Sequence, residues 1–148
     1  MPVTGEPPIV RHFEDVAPKL ISPADTVRLA TLVRPADGTD TSVFFEVWEP
    51  SGAQPPNSHP DSTEIFVVLR GEGRAFSDEH SVDLRAGDVL ILPPGSVHRI
   101  VNTSPAERLY TVTIMANDPG ALPGGFAALV DQGTPVTWDS DDRAVLEG

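Results

Sequence analysis

Proline and glycine decide what this chain can become. Sixteen prolines and twelve glycines are spread over 148 residues. Each proline removes a backbone donor and fixes its own φ, so long helices are excluded and many short elements are expected. The runs between these residues have a common character. "VFFEVWE" (43–49) and "EIFVVLR" (64–70) are β-branched and aromatic and read as strands. "DTVRLATLV" (25–33), "VLILP" (89–93), "VHRIVN" (97–102) and "ERLYTVTIM" (107–115) read the same way. "RAFS" and "SVDL" flank the polar tip "DEH", which predicts a hairpin. Short strands recurring about every 8 to 12 residues, with turn chemistry between them, predict an all-β sandwich or barrel.

The two ends lack that rhythm. Residues 1–24 read as an irregular arm with room for one short strand, and residues 117–148 as a tail. In the tail, "NDPGALPGG" is a loop, "FAALVDQ" has the length of one or two helical turns, and the acidic "TWDSDDRAVLEG" reads as a solvated face. Residues 1–148 form one domain, with the barrel core at about 25–116. A net charge of −12 repels nucleic-acid phosphates and anionic lipid heads, so neither is an expected partner. Without cysteine there is no disulfide, no thiolate metal site and no cysteine nucleophile. The segment "MPVTGEPPIVRHFED" has no apolar core of a signal peptide, and no run of about 18 apolar residues could span a membrane. The expectation is a soluble, cytoplasmic protein that meets a small-molecule substrate.

Chemistry concentrates in two stretches. In "GDVLILPPGSVHRIVN" (87–102), His98 follows a Pro93-Pro94-Gly95 corner in an otherwise apolar strand. A lone strand histidine is ordinarily a satisfied polar group, but this one has company in "GAQPPNSHPDSTEIFVVLRG" (52–71). Residues two apart on a strand face the same side, so Asn57 and His59 are expected to point together. Pro60, Asp61 and Ser62 favour a turn or bulge that brings Glu64 back to the same place. Gly95 gives the backbone freedom at its corner, and His98 arrives from another direction. Two imidazoles and one carboxylate suit a divalent first-row metal. The Asn57 amide adds a weak carbonyl ligand or a hold on a metal-bound water. His12 and His80 read as surface residues, and Asn102 as a side chain that hydrogen-bonds a turn. Phe45, Phe66 and Arg70 are candidates for lining a pocket, although aromatic and aliphatic strand residues are far more often plain core.

These two stretches resemble the paired motifs of the cupin superfamily, over about residues 43–115. The second motif is glycine, five residues, Pro-x-Gly, two residues, histidine, three residues and asparagine. Gly87, Pro93, Gly95, His98 and Asn102 match it at every spacer. The first motif is glycine, about five residues, His-x-His, three or four residues, glutamate, six residues and glycine. His59, Glu64 and Gly71 match, while Asn57 stands where the first histidine is expected. Moving the register to His59 and Asp61 leaves only two residues before Glu64, so Asn57-x-His59 is the preferred alignment.

The resemblance implies a jelly-roll, or double-stranded β-helix, barrel. It implies a homodimer, often with the N-terminal strand packed on the neighbour. It also implies one divalent ion, with His59, Glu64 and His98 as ligands and Asn57 as a weak or water-mediated fourth. Fe²⁺ is favoured, with Mn²⁺, Ni²⁺ and Zn²⁺ as alternatives. A two-histidine, one-carboxylate set leaves open positions for substrate and dioxygen, which favours dioxygenase-like oxidoreductase chemistry. Glu64 is then a ligand and the candidate catalytic proton acceptor. A metal-dependent isomerase, lyase or cyclase, and a small-molecule-binding module without catalysis, are the alternative readings.

Overall fold

Turn residues and strand runs settle into ten strands in the computed structural model, which describes residues 5–116 and 125–148. They are β1 (Lys19–Leu20), β2 (Val27–Val33), β3 (Thr41–Trp48), β4 (Glu64–Arg70), β5 (Glu72–Ser77), β6 (His80–Arg85), β7 (Val89–Leu92), β8 (His98–Asn102), β9 (Leu109–Ala116) and β10 (Thr134–Pro135). A seven-stranded sheet runs β10-β1-β2-β3-β9-β4-β7, and a three-stranded sheet runs β6-β5-β8. Every pairing is antiparallel. Two sheets facing one another around a shared interior are the jelly-roll that the strand spacing predicts. The expected loop at 117–124 lies outside the described residues. No helix among those described is long and apolar enough to cross a membrane.

Alternation sets the interior. On β4, Glu64, Phe66 and Val68 are buried while Ile65 and Val67 are only partly so. On β8, His98, Ile100 and Asn102 are buried and Arg99 is exposed. The inner core joins Phe44, Trp48, Phe66, Ile100 and Leu109. Each fully buried side chain of this size contributes about 1.5 to 3 kcal/mol. β3 is buried on both faces, because Phe45 and Val47 turn outward beneath Tyr110 and Trp138. Phe45 therefore lines no interior pocket. Phe66 packs in the core, and Arg70 ends β4 on the surface beside a separate groove. Phe45 and Phe66 are plain core, the commoner outcome for aromatic strand residues, and Arg70 does not line the cavity.

The ends are more structured than the sequence reading. Helix α1 (Gly125–Asp131) has the expected length, and α2 (Ser140–Glu147) follows it. The acidic tail is not a solvated face. Asp142 is wholly buried, its carboxylate accepting from Arg28 Nη1 at 2.8 Å and from the Tyr110 hydroxyl at 3.1 Å. It also accepts from the backbone N–H of Asp139, closing a capping box at the start of α2. Arg108 adds a hydrogen bond to Asp139 and a longer one, 3.4 Å, to Asp142. The arm is likewise tied down: β1 pairs with β2 and β10 of its own chain.

Asp142→Ala leaves the Arg28 guanidinium buried with half its partners, so unfolding in urea should show a loss of about 3 kcal/mol. Asp142→Asn, which keeps hydrogen-bonding atoms in place, should lose less. Equal stability of wild type and Asp142→Ala would show that the tail helix does not clamp the barrel.

Candidate metal centre and cavity

The two motif stretches meet at the seam between the sheets. Asn57 does not lie on a regular strand, contrary to the expectation; it forms an isolated bridge with His98. Its N–H donates to the His98 carbonyl at 3.0 Å, and the His98 N–H donates to its carbonyl at 2.9 Å. Pro60 and Asp61 form the expected turn before β4. Gly95 sits at φ +82°, the left-handed conformation that favours glycine. Its N–H donates to the His59 carbonyl at 3.0 Å, so the Pro-Pro-Gly corner is fastened to the first motif. Gly71 has φ +97°, and a Cβ there would meet the Arg108 carbonyl oxygen at 2.7 Å, which explains the glycine that ends that motif.

Three ligand atoms converge. One nitrogen each from His59 and His98 and one oxygen from Glu64 lie within 4.8 Å of one another. Nε2 of His98 is 2.7 Å from Oε2 of Glu64, and Nε2 of His59 is 3.6 Å from the same oxygen. His98 Nδ1 lies 3.3 Å from the Ser96 carbonyl, to which it donates in the tautomer that leaves Nε2 with its lone pair. Two lone-pair atoms at 2.7 Å repel unless a proton or a metal ion is shared between them. Adjacent ligands of one ion, each about 2.1 Å from it, stand roughly 3 Å apart, and the two observed separations bracket that value.

The converging ligand atoms are also unpaired. Six buried side-chain polar atoms lack a hydrogen-bond partner among the described residues. Four of the six are Oδ1 of Asn57, Nε2 of His59, Oε2 of Glu64 and Nε2 of His98. Such atoms are costly to bury unless something pairs with them. The residues therefore fit a divalent ion on a mixed nitrogen and oxygen set. Asn102 is structural, as expected: Nδ2 donates to the carbonyls of Glu49 at 3.0 Å and Glu107 at 2.8 Å, while Oδ1 accepts from Ser104 N–H. His80 is exposed on β6, and His12 lies in the exposed arm.

A cavity of about 280 Å³ opens beside Glu64 and Asn57. Glu46 on β3 reaches it, a residue the sequence reading passed over. It shares the inward period of Phe44 and Trp48, and a glutamate in that position of "VFFEVWE" was the available signal. Oε2 of Glu46 accepts from the hydroxyls of Thr113 at 2.8 Å and Thr111 at 3.3 Å. Thr111 in turn accepts from the Trp48 indole at 3.0 Å. Burial, reinforced by the negative charge of Glu64, pushes the Glu46 carboxyl up to about 8, against the pull of the two hydroxyls. The irregular arm and the tail complete the wall through Ile21 and Phe126. Phe126 also sets its ring against His59, with centroids 5.9 Å apart.

Comparison with known proteins agrees with this geometry. The model of the cupin domain matches residues 44–114. Oxalate oxidase 1 of Hordeum vulgare is 33% identical over 81 residues, covering 49% of this chain and 40% of that protein. The chain spans half or less of the length of the curated relatives it matches. A solved cupin 2 conserved barrel domain protein from Salinispora arenicola superposes with a TM-score of 0.62 at 23% identity, covering 86% of this chain and 96% of that one. A predicted oxalate decarboxylase from Thermotoga maritima gives 0.64 at 21% identity, covering 73% and 98%. At these identities the solved structures share the fold.

Raising the pH should destabilise the metal-free chain. The folded state holds the Glu46 proton to about pH 8, whereas an unperturbed glutamate releases it near 4.5. Between those values the folded state binds more protons, so stability falls as pH rises, by at most about 1.4 kcal/mol per unit. Urea midpoints taken from about pH 5.5 to about pH 7.5 should show this slope, and Glu46→Gln should flatten it. A slope of the opposite sign would place Glu46 outside the buried, repelled setting described above.

Proposed function

Because the chain belongs to the cupin superfamily, we propose that it is a metal-dependent enzyme that acts on a small organic molecule in the barrel cavity. The observation that carries this reading is the convergence of the ligand atoms of His59, Glu64 and His98, which, like Oδ1 of Asn57, are buried without a hydrogen-bond partner among the described residues. His59, Glu64 and His98 would hold the ion, with Asn57 as a weak or water-mediated fourth ligand, since an amide oxygen is a poorer donor than an imidazole. Oxidative chemistry at iron(II) is favoured, and the likeness to an oxalate oxidase over part of the chain supports it. A redox-active ion with open positions supplies electrons and Lewis acidity at this set.

The chain's own residues do the rest. Val27, Leu29, Trp48, Phe126 and Leu129 give the cavity beside Glu64 an apolar wall. The Ser96 carbonyl fixes the His98 ring so that Nε2 faces Glu64. Glu64 would help to hold the ion and is the candidate proton acceptor. Glu46, pushed up to about 8, can hold or release a proton near neutrality. That property supports a second reading, in which the ion serves as a Lewis acid for an isomerisation, lyase or cyclisation step and Glu46 relays the proton.

Metal content after identical dialysis, read by mass spectrometry, tests the ligand set. His59→Ala, Glu64→Ala and His98→Ala should lose most of the metal, whereas Asn57→Ala should keep most of it. Retention by His98→Ala and loss by Asn57→Ala would overturn the assignment. Oxygen uptake by the iron-loaded chain with a reacting substrate supports the oxidative reading. Turnover with Zn²⁺ in the absence of oxygen supports the second.

A further inference from the structure

The cavity wall has a charge pattern of its own. Val27, Leu29, Trp48, Phe126 and Leu129 make most of it apolar, and its charged groups are Glu46, Glu64 and Asp25. No lysine or arginine lines it. All ten basic residues of the chain lie within the described residues. Six of them, Arg11, Arg28, Arg34, Arg74, Arg108 and Arg143, are held in ion pairs elsewhere.

A carboxylate entering such a cavity loses its hydration and finds no cationic side chain in return. A divalent ion would attract it, but Glu64, as a ligand, would already offset part of the ion's charge, and the apolar wall leaves the rest of the anion without a partner. A hydroxyl is in the opposite position. It can donate to Glu46, whose carboxyl is already aimed: both threonine bonds fall on Oε2, so Oε1 is not committed to them. The Trp48–Thr111–Glu46 relay fixes the group before any guest arrives. The Trp48 ring beside it offers an apolar face for the body of the guest.

We propose that this cavity takes an uncharged alcohol or phenol with an apolar body, its hydroxyl directed at Glu46, and turns away carboxylates, oxalate included. The proposal rests on the reading of His59, Glu64 and His98 as the metal site. It separates this chain from the substrate in the name of its relative, the oxalate oxidase of Hordeum vulgare. Glu46 is here the residue that determines specificity.

Benzyl alcohol, benzoate and oxalate are suitable probes, because the first two have the same size and differ in charge. Ligand-observed NMR titrations on the metal-loaded chain should show benzyl alcohol bound with a Kd of about 1 mM, which is what so small a probe allows. It should bind about tenfold more tightly than benzoate, and oxalate should not displace it. Glu46→Gln keeps an acceptor oxygen for the threonines but turns the free end of the side chain into an amide that donates, so the preference should shrink to roughly threefold or less. Thr113→Val, which frees the carboxyl from its shorter bond, should shift the preference in the same direction and serves if Glu46→Gln does not fold. Benzoate or oxalate binding as tightly as benzyl alcohol would overturn the proposal. So would no binding of benzyl alcohol at about 10 mM, or an unchanged preference in both variants. Metal content measured on the same samples separates the two readings. Bound metal with tight oxalate defeats the specificity proposal alone, and an empty metal site defeats the metal reading whichever probe binds.

Discussion

Nε2 of His98 and Oε2 of Glu64 stand 2.7 Å apart across the seam between the two sheets. Everything around them serves to hold that approach. Glu64 opens β4 in the seven-stranded sheet, and His98 opens β8 in the three-stranded one. Barrel closure alone would not fix their separation. The paired backbone bonds between Asn57 and His98, and the bond from Gly95 to the His59 carbonyl, tie the motif segments to each other directly. Substitution at any of these points would displace a ligand through the backbone rather than remove it.

Two carboxyls share the interior, and their surroundings give them different work. Glu64 faces two imidazoles and belongs to the three-residue set that could hold an ion. Glu46 faces threonine hydroxyls and apolar wall, and burial with the charge of Glu64 makes it reluctant to ionise. Pairs of acids with diverging environments are how one site can hold both a ligand and a proton carrier. The pairing also depends on the ion: a cation at Glu64 would offset the repulsion that raises Glu46, so metal loading and the protonation of Glu46 are coupled.

The sequence made the local parts legible. β4 spans the residues read from "EIFVVLR", and Gly95 has the positive φ that its corner demanded. His59, Glu64 and His98 converge as their spacing and the family resemblance implied. Those features depend on near neighbours in the chain or on fixed motif offsets. What was not legible depends on distant ones. Asp142 looked solvated because its partners, Arg28 and Tyr110, are 114 and 32 residues away. Phe45 read as core, but nothing in its own strand announces Trp138, which packs against it from the far end of the chain. Glu46 was legible in part: its inward phase with Phe44 and Trp48 could be read, but the threonines that hold it lie on β9.

The central claim is that one divalent ion sits among His59, Glu64 and His98. Anomalous diffraction at the iron edge, from crystals of the iron-loaded chain, tests it most directly. The account predicts a single strong peak within coordination distance of both Nε2 atoms and a Glu64 carboxylate oxygen. A peak elsewhere, or none while His98 and Glu64 pair directly as imidazolium and carboxylate, would contradict it.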